Sequence, residues 1–393
     1  MTDETYAHAP LKQRLWTPAF TTGVAIIVLG GIVALTRLVF GLGAVTNLSD
    51  GYPWGLWIVF DVVVGIALAA GGFVTAAIIY VFNRGQYSPL VRPAVLTALL
   101  GYAMAAFGVF IDVGRWWQLY NPILPENWQG NSALFEVSIC VMAYLTVLTI
   151  EFIPVLTEKW KKGPDGFLKR ISSKIHPILN KAMILFILLG IVISTLHQSS
   201  LGSVMLLMPH RLHALWFTPW LPLFFLISAV GVGMHVVIFE SIIAARSFGR
   251  KIEMPTLYGL ARASVIVLAL YVLARIADLV AYGEVGLIFT SWHGSLLVLE
   301  LALYGVIPII MIMSNRARKE PKYLFSISVM VMVGLLLNRF NVYLFAVKPH
   351  EGWSYFPTLW EVMVSAMAVS IIFVAYKVLV NYLPVMHWET ENA

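Results

Sequence analysis

The sequence predicts an all-α, multi-pass membrane protein with about ten transmembrane helices. Of its 393 residues, 60% are hydrophobic and only 12% are charged, whereas soluble domains carry about 25% charged residues. The apolar residues fall into long runs, and a helix needs about 20 such residues to cross a bilayer. Lys and Arg gather in alternate connections between these runs, which is the pattern of a chain that crosses the membrane repeatedly.

Ten runs are long enough to span the membrane, and proline residues stand at or near the start of several of them, where a missing N–H is tolerated. The first run is long and follows a polar stretch, so we expect an uncleaved first span. We divide the chain into an N-terminal tail (1–17), one integral membrane domain (18–383) and a C-terminal tail (384–393). The predicted spans are about 18–36, 54–81, 93–112, 132–154, 182–208, 219–245, 261–281, 293–313, 323–347 and 357–383.

The distribution of cations predicts the orientation. With both termini on one side, that side holds 20 of the 26 Lys and Arg residues, and the opposite connections hold four. Cytoplasmic loops carry the excess of Lys and Arg, so both termini are predicted to be cytoplasmic. The net charge of +6 follows from this asymmetry, so we expect no nucleic-acid partner. The longest connection, about 155–181, is predicted to be a basic surface loop.

Metal centres are not expected in this chain. Cys140 is its single cysteine, so it can form no internal disulfide and no Cys-ligated zinc site or iron–sulfur cluster. A b-type haem commonly needs two axial histidines at one depth. His197 and His293 both fall in the outer half, but His293 lies at a span boundary, and His235 has no partner at its level. The histidine arrangement therefore predicts a chain without haem.

Ionisable residues within the spans collect at one depth. Such a group costs at least about 2.5–3.5 kcal/mol at the bilayer centre and suggests a functional site. At a rise of about 1.5 Å per residue, the inner half holds only Glu151, His235 and Glu240. The outer half holds Asp61, Asp112, Glu136, His197, Arg275, Asp278, His293, Glu300, Arg339 and Glu361.

Structural roles compete with functional ones at several of these positions. The run His197-Gln-Ser-Ser could be a buried hydrogen-bond network that joins helices. Oppositely charged residues three apart on a helix can also neutralise each other. The pairs open to a structural explanation are Arg275 with Asp278, Glu300 with Arg339, and Asp112 with Arg115.

Short motifs lie near the ends of the spans. They are Arg37–Gly43 (RLVFGLG), Gly51–Ile58 (GYPWGLWI) with Asp61, Val81–Tyr87 (VFNRGQY), Asp112–Arg115 (DVGR), Asn131–Glu136 (NSALFE), His197–Gly202 (HQSSLG), Phe239–Glu240 (FE), Tyr355–Thr358 (YFPT) and Trp360–Glu361 (WE). Together they resemble the NrfD/polysulfide-reductase membrane-anchor family over about residues 20–383. Within it, the pattern is most similar to the HybB-type membrane subunits of nickel-iron hydrogenases, and DsrP-like and Hmc-type anchors share much of it. His235 departs from the hydrogenase branch, where we expect an apolar residue.

The resemblance implies a haem-free, quinone-reactive subunit of the bacterial inner membrane. Such a subunit has two four-helix bundles with extra flanking helices and a quinone site toward the outer side. It docks a periplasmic, ferredoxin-like iron–sulfur subunit and, through it, a catalytic redox module. Carried over by motif, the quinone-binding candidates are Asp61, Asp112, Arg115, Glu136 and His197.

The chemistry of the residues agrees with that implication. Reducing a quinone takes two electrons and two protons, and both histidine and carboxyl groups removed from water can exchange protons near neutral pH. We expect electrons to pass between the partner and the menaquinone or ubiquinone pool, and protons to follow a route through Glu136, Glu151, His235 and Glu240. Anchors of sulfur-metabolism or cytochrome-linked complexes are the alternative. A secondary transporter is the alternative of another class, but it should hold its polar residues near the midplane.

Overall fold

The structure is a computed structural model and describes residues 7–52, 54–249, 251–349 and 352–388. Within these residues, ten helices are long and apolar enough to cross a membrane, as predicted. Parts of both predicted tails (1–6 and 389–393) and the cation Arg250 lie outside the described residues. The helices are α1 (Pro18–Phe40), α2 (Trp57–Val81), α3 (Gly85–Asp112), α4 (Ala133–Lys161), α5 (Phe167–Leu206), α6 (Leu221–Ser247), α7 (Met254–Ala281), α8 (Trp292–Ile312), α9 (Pro321–Phe345) and α10 (Leu359–Tyr382).

The predicted basic loop at 155–181 is wrong, because most of it is helical. Helix α4 continues to Lys161 and α5 begins at Phe167, so a short turn joins them. A helix satisfies its own backbone hydrogen bonds and can therefore extend past the membrane into water. Pairs one turn apart support this extension, with Lys162 Nζ 2.8 Å from a Glu158 oxygen and Lys169 Nζ 2.6 Å from Asp165.

The ten spans form two four-helix bundles and a flanking pair, as the resemblance implied. Helices α2 to α5 contact one another in the first bundle, and α6 to α9 do so in the second. Helix α6 packs on both α2 and α5 and joins the bundles. There, a Cβ added to Gly233 would lie 3.0 Å from the Ala70 backbone, a close approach of the kind small residues allow between membrane helices. Helices α1 and α10 pack together against α2 and α3.

The two ends of the chain meet on one side of the bundle. Strand β1 (Ala7–Ala9) pairs antiparallel with β2 (Met386–Trp388). Beyond the strands, the Leu11 N–H donates to the Val380 carbonyl at 3.1 Å, and Lys377 Nζ donates to the Leu15 carbonyl at 2.8 Å. Both ends of the described chain therefore lie on the same side, as an even number of spans requires. That this side is the cytoplasm stays a prediction.

Several spans contain π-helical turns, which are rare and are often found at functional sites. One forms Trp57–Val64 of α2 and includes Asp61. Two others occur in the second bundle, at Ala302–Val306 of α8 and Asn341–Phe345 of α9. A fourth ends α2 at Ala77–Val81. Short helical turns also occur in the connections, at Leu42–Ala44, Trp116–Gln118, Asn121–Ile123, Pro125–Asn127, Leu287–Thr290 and Asn315–Lys319.

Candidate functional site

The five predicted quinone-binding residues do not form one pocket. Asp61 lies where α2 meets α3 and α10, and Asp112 ends α3 close by. Glu136 and His197 lie on α4 and α5. Arg115 is exposed on the connection after α3. In the part of the chain that the structure describes, no hydrogen bond joins the first two residues to Glu136 or His197. We therefore treat them as two clusters.

The first is the outer carboxylate cluster, defined as Asp61, Asp112, Glu361 and Arg37. The outer side is the side away from the paired ends of the described chain. Asp61 is 7% exposed. Its carboxylate accepts a hydrogen bond from Ser365 Oγ of α10 at 2.7 Å. Its Cβ packs over Gly108 of α3, where an added Cβ would lie 3.1 Å away. The small residue thus lets α3 approach the Asp61 side chain.

Glu361 holds the outer end of α10 in place. Its carboxylate accepts hydrogen bonds from the Thr358 N–H at 2.8 Å, from the Asn47 N–H at 3.2 Å and from Tyr355 Oη at 2.6 Å. Burial, followed by the hydrogen bond to Glu361, raises the pKa of the Tyr355 phenol, so this group remains a donor. The Trp57 indole N–H donates to the Glu361 carbonyl at 3.0 Å. Glu361 therefore ties α10 to α2 rather than facing an open space.

Asp112 and Arg37 have unused hydrogen-bonding capacity. Arg37 is buried and lies within electrostatic reach of Asp112, and its Nη2 donates to the Val113 carbonyl. Among the described residues, neither Arg37 Nε nor Asp112 Oδ1 has a hydrogen-bond partner. An open cavity of about 380 Å³ lies over Asp112, lined also by Leu42, Gly43, Thr46, Leu48, Ser49 and Asp50.

The cation beside Asp112 is not the one that the spacing suggested. No ion pair between Asp112 and Arg115 occurs in the described chain, and Arg115 is exposed. Arg37 takes that position instead. It was counted as an outer-loop cation because the predicted first span ended at residue 36, whereas α1 continues to Phe40. Its place within an apolar run was the signal that could have identified it.

The second group is the His197 cluster, defined as His197, Gln198, Ser194, Tyr102 and Tyr144. The His197 imidazole is fully buried, and neither ring nitrogen has a hydrogen-bond partner among the described residues. The Tyr102 ring meets it edge-on at 5.5 Å and meets the Tyr144 ring at 4.5 Å. Gln198 Nε2 donates to the Ile66 carbonyl of α2 at 3.0 Å. Gln198 therefore joins helices, as the structural explanation expected, while His197 does not.

The His197 cluster lies between the two glutamates of α4. On its outer side, Ser200 Oγ donates to Glu136 Oε1 at 2.6 Å. On its inner side, Glu151 packs over Gly190 of α5, where an added Cβ would lie 2.9 Å from Glu151 Oε1 and 3.4 Å from Tyr144. Polar groups thus follow one another along the first bundle from Glu136, which is itself exposed, to the half-buried Glu151.

The other two residues of the predicted proton route lie elsewhere. His235 is in the second bundle, where its ring nitrogens contact Ser264 Oγ at 2.9 Å and Ser328 Oγ at 3.2 Å. Glu240 of α6 accepts a hydrogen bond from Tyr376 Oη of α10 at 2.7 Å. Glu136 and Glu151 therefore lie along the same helix of the first bundle, whereas His235 and Glu240 lie on α6, apart from them.

The second bundle contains a dense buried network around Glu300. Its carboxylate accepts four hydrogen bonds, from Trp216, Tyr271, Asn338 and Asn341. The predicted direct pair of Glu300 with Arg339 is absent from the ion pairs of the described residues. Asn338 stands between them and accepts from Arg339 Nη1.

The predicted pair of Arg275 with Asp278 is confirmed. Arg275 Nη1 lies 2.9 Å from Asp278 Oδ2, and both side chains are buried. Thr218 Oγ1 donates to the other Asp278 oxygen at 2.7 Å, and Arg275 Nη2 donates to the Leu215 carbonyl. The pair therefore joins α7 to the connection that precedes α6.

Two four-helix bundles with flanking helices and buried ionisable groups define a multi-pass integral membrane protein. Comparison with known proteins identifies the class further. The chain belongs to the polysulphide reductase, NrfD family, which matches residues 44–347. It is therefore a membrane subunit of the redox complexes of this family, which argues against the secondary transporter.

Two relatives match nearly the whole chain. One is named "Probable Ni/Fe-hydrogenase 2 b-type cytochrome subunit" and comes from Escherichia coli K12. It is 36% identical over 92% of this chain and 90% of its own length. The other is named "Menaquinone reductase, integral membrane subunit" and comes from Nitratidesulfovibrio vulgaris Hildenborough. It is 30% identical over 92% of this chain and 90% of its own length.

The first of these names contradicts one prediction. A b-type cytochrome subunit is named for a haem, so the expectation that this chain carries no haem is overturned by the hydrogenase relative. The prediction rested on the positions of the histidines along the sequence. The name of a relative that is 36% identical is the stronger evidence.

The described histidines do not fit a haem held between two of them. His235 uses both ring nitrogens on serines, and the rings of His213 and His293 stack 4.3 Å apart, too close to admit a porphyrin. His197 has free ring nitrogens but faces Tyr102. No electron-transfer step is therefore assigned to a haem.

Proposed function

We propose that this chain is the quinone-reactive subunit of a bacterial inner-membrane oxidoreductase, with a hydrogenase-linked complex favoured. In this proposal it passes electrons between a periplasmic iron–sulfur subunit, which connects to a catalytic redox module, and the quinone pool. The names of the two relatives support a hydrogenase or menaquinone partner. The single cysteine supports an external source of electrons, because this chain can hold no Cys-ligated cluster.

One observation carries the proposal: Asp112, whose Oδ1 has no hydrogen-bond partner among the described residues, lines an open cavity at the outer end of α3. Buried polar atoms without partners are rare and ask for an explanation. The hydroxyl of the reduced quinol would donate to the Asp112 carboxylate, and the positive charge of the buried Arg37 would lie behind that carboxylate. Asp61 lies deeper, between α2, α3 and α10, and would exchange protons with the head group or with Asp112.

The connection after α3 supports docking of the partner on the same side. Its exposed apolar side chains, Trp117, Tyr120, Ile123 and Trp128, are each at least 55% exposed. Arg115 lies beside them. Aromatic residues and arginine are enriched at protein interfaces, so this connection could receive the iron–sulfur subunit close to the Asp112 cavity. Arg115 would then contact the partner rather than the quinone.

The His197 cluster is proposed to carry protons. Quinone reduction consumes two protons with its two electrons. Glu136, Ser200, His197, Ser194, Tyr144 and Glu151 each carry a group that can give or accept a hydrogen bond or a proton. The two glutamates are fifteen residues apart on one helix, about 22 Å along its axis. Water would bridge the gaps between these groups. The two ring nitrogens of His197, which have no partner among the described residues, support such a wet path.

The test compares Asp112→Asn with His197→Ala in the intact complex. We expect Asp112→Asn to lower kcat for quinone reduction, because asparagine cannot exchange the proton. We expect His197→Ala to lower kcat and to leave KM nearly unchanged. Partner activity with an artificial electron acceptor reports assembly, and Asp165→Asn, at an exposed side chain on the turn between α4 and α5, is the matched control. An unchanged rate of quinone reduction in Asp112→Asn would refute a quinone site at Asp112. If a variant loses quinone reduction and partner activity equally, the substituted residue has a structural role instead.

A further inference from the structure

An apolar groove runs along the membrane-facing side of the flanking pair. It lies between α1, α3 and α10 and has a volume of about 450 Å³, within the usual range for small-molecule sites. Its lining is almost wholly apolar. The lining residues are Ile27, Val28, Gly31, Ile32, Ala34, Leu35, Leu38, Phe107, Ile111, Met367 and Ile371.

Two adjacent glycines of α1 explain why the groove exists. A Cβ added to Gly30 would lie 2.4 Å from Met367 Cβ, so α1 closes tightly on α10 there. A Cβ added to Gly31 would meet no atom within 4 Å. Helix α1 therefore packs on α10 through one glycine and leaves open space beside the next.

The groove leads to the outer carboxylate cluster. From Ile27 to Leu38 it follows eleven residues of α1, about 16 Å of helix axis. At its outer end, Ile111 immediately precedes Asp112, and Leu38 lies one turn before Leu42, which lines the Asp112 cavity. A molecule with a polar head over Asp112 and a long apolar tail could thus occupy both spaces at once.

We propose that this groove binds the isoprenoid tail of the quinone. The inference rests on the proposed function, because it needs the quinone head group at Asp112. A quinone at the outer surface must keep its tail in an apolar medium, and the groove offers a continuous path toward the middle of α1. A phospholipid chain is the other possible occupant, but its charged phosphate would meet Asp50 and Asp112 at the end of the groove.

The test is Gly31→Leu, which fills the groove from a position with free space. In the intact complex, KM is measured for a long-tailed menaquinone and for a tail-less naphthoquinone. We expect the ratio of the first KM to the second to rise about tenfold, which corresponds to about two methylene groups losing their burial. Leu35 also lines the groove, and its side chain is 63% exposed. A Leu35→Trp variant therefore narrows the same groove and keeps the test valid if Gly31→Leu fails to assemble.

The matched control is Ile266→Phe, which adds bulk on the lipid-facing side of α7 at a residue 74% exposed. This variant should leave the KM ratio unchanged. An unchanged ratio in both groove variants would mean that the groove holds ordinary lipid, and the inference would be wrong. If the parent complex reduces neither quinone, the proposed function fails instead, so the two failures are distinguishable.

Discussion

Glu300 provides a sharp test of what holds the second bundle together. The side chain is fully buried, and each of its two oxygens accepts two hydrogen bonds. Oε1 receives Tyr271 Oη at 3.1 Å and Asn338 Nδ2 at 2.8 Å, and Oε2 receives Trp216 Nε1 at 3.1 Å and Asn341 Nδ2 at 2.8 Å. Replacing Glu300 with glutamine keeps the shape and turns one acceptor oxygen into a donor.

The expected loss follows from the number of donors left without a partner. In Glu300→Gln, two of the four donors face an amide NH₂ group and lose their acceptor. Each unsatisfied buried group costs about 1–3 kcal/mol, so the free energy of unfolding should fall by about 2–6 kcal/mol. Glu300→Leu removes all four acceptor positions and should cost more than the glutamine variant.

The assay is unfolding of the purified protein in one detergent, by heat or by a denaturing detergent, for the parent and each variant. Glu126→Gln, on an exposed outer connection, is the control and should change stability by no more than about 0.5 kcal/mol. A loss below about 1 kcal/mol for Glu300→Gln would refute the reasoning, because it would mean that the four donors find other partners.

Two further predictions concern the proton route and the outer surface. In liposomes with a voltage dye, Glu136→Gln in the complex should turn over more slowly and generate less membrane potential, because glutamine carries no proton, and a normal potential would remove Glu136 from the route. Burial, then the charges of His293 and Lys348, lower the pKa of His213 below 6.5. An NMR titration of His213 should give a midpoint below 6.5, and this midpoint should rise in the His293→Phe variant. Because the folded state then binds fewer protons than the unfolded one, this group makes stability fall as the pH drops through 6.5, and a midpoint at or above 6.5 would contradict the assignment.

Local pattern was enough to predict the architecture. An apolar run of membrane length has few folded alternatives to a helix, because lipid offers no partner to an unpaired backbone group. The Arg275–Asp278 pair was predictable for a similar reason, since residues three apart on a helix meet whatever surrounds them. The extent of α5 was not predictable from apolarity, because its first turns lie in a basic segment that folds as a helix beyond the apolar run.

The division of the site into two clusters could not be read from the sequence. Depth along a span follows from counting residues, but the direction that a side chain faces depends on how its helix rotates against its neighbours. Asp61 and Ser365 are 304 positions apart and meet only because α10 folds back on α2. In the same way, Glu300 and Arg339 share a depth, yet Asn338 separates them.

The two bundles differ in how their buried histidines are satisfied. In the second bundle, both nitrogens of His235 have partners and both oxygens of Glu300 accept hydrogen bonds. Arg339 Nε and Asn341 Oδ1 are nevertheless buried there without a partner in the described chain. In the first bundle, neither ring nitrogen of His197 has a partner among the described residues. Since each such atom costs about 1–3 kcal/mol when it stays dry, the first bundle bears a cost that packing alone does not explain. A path that takes up water and protons would offset it, and this contrast supports assigning the chemistry to the first bundle and the structural support to the second.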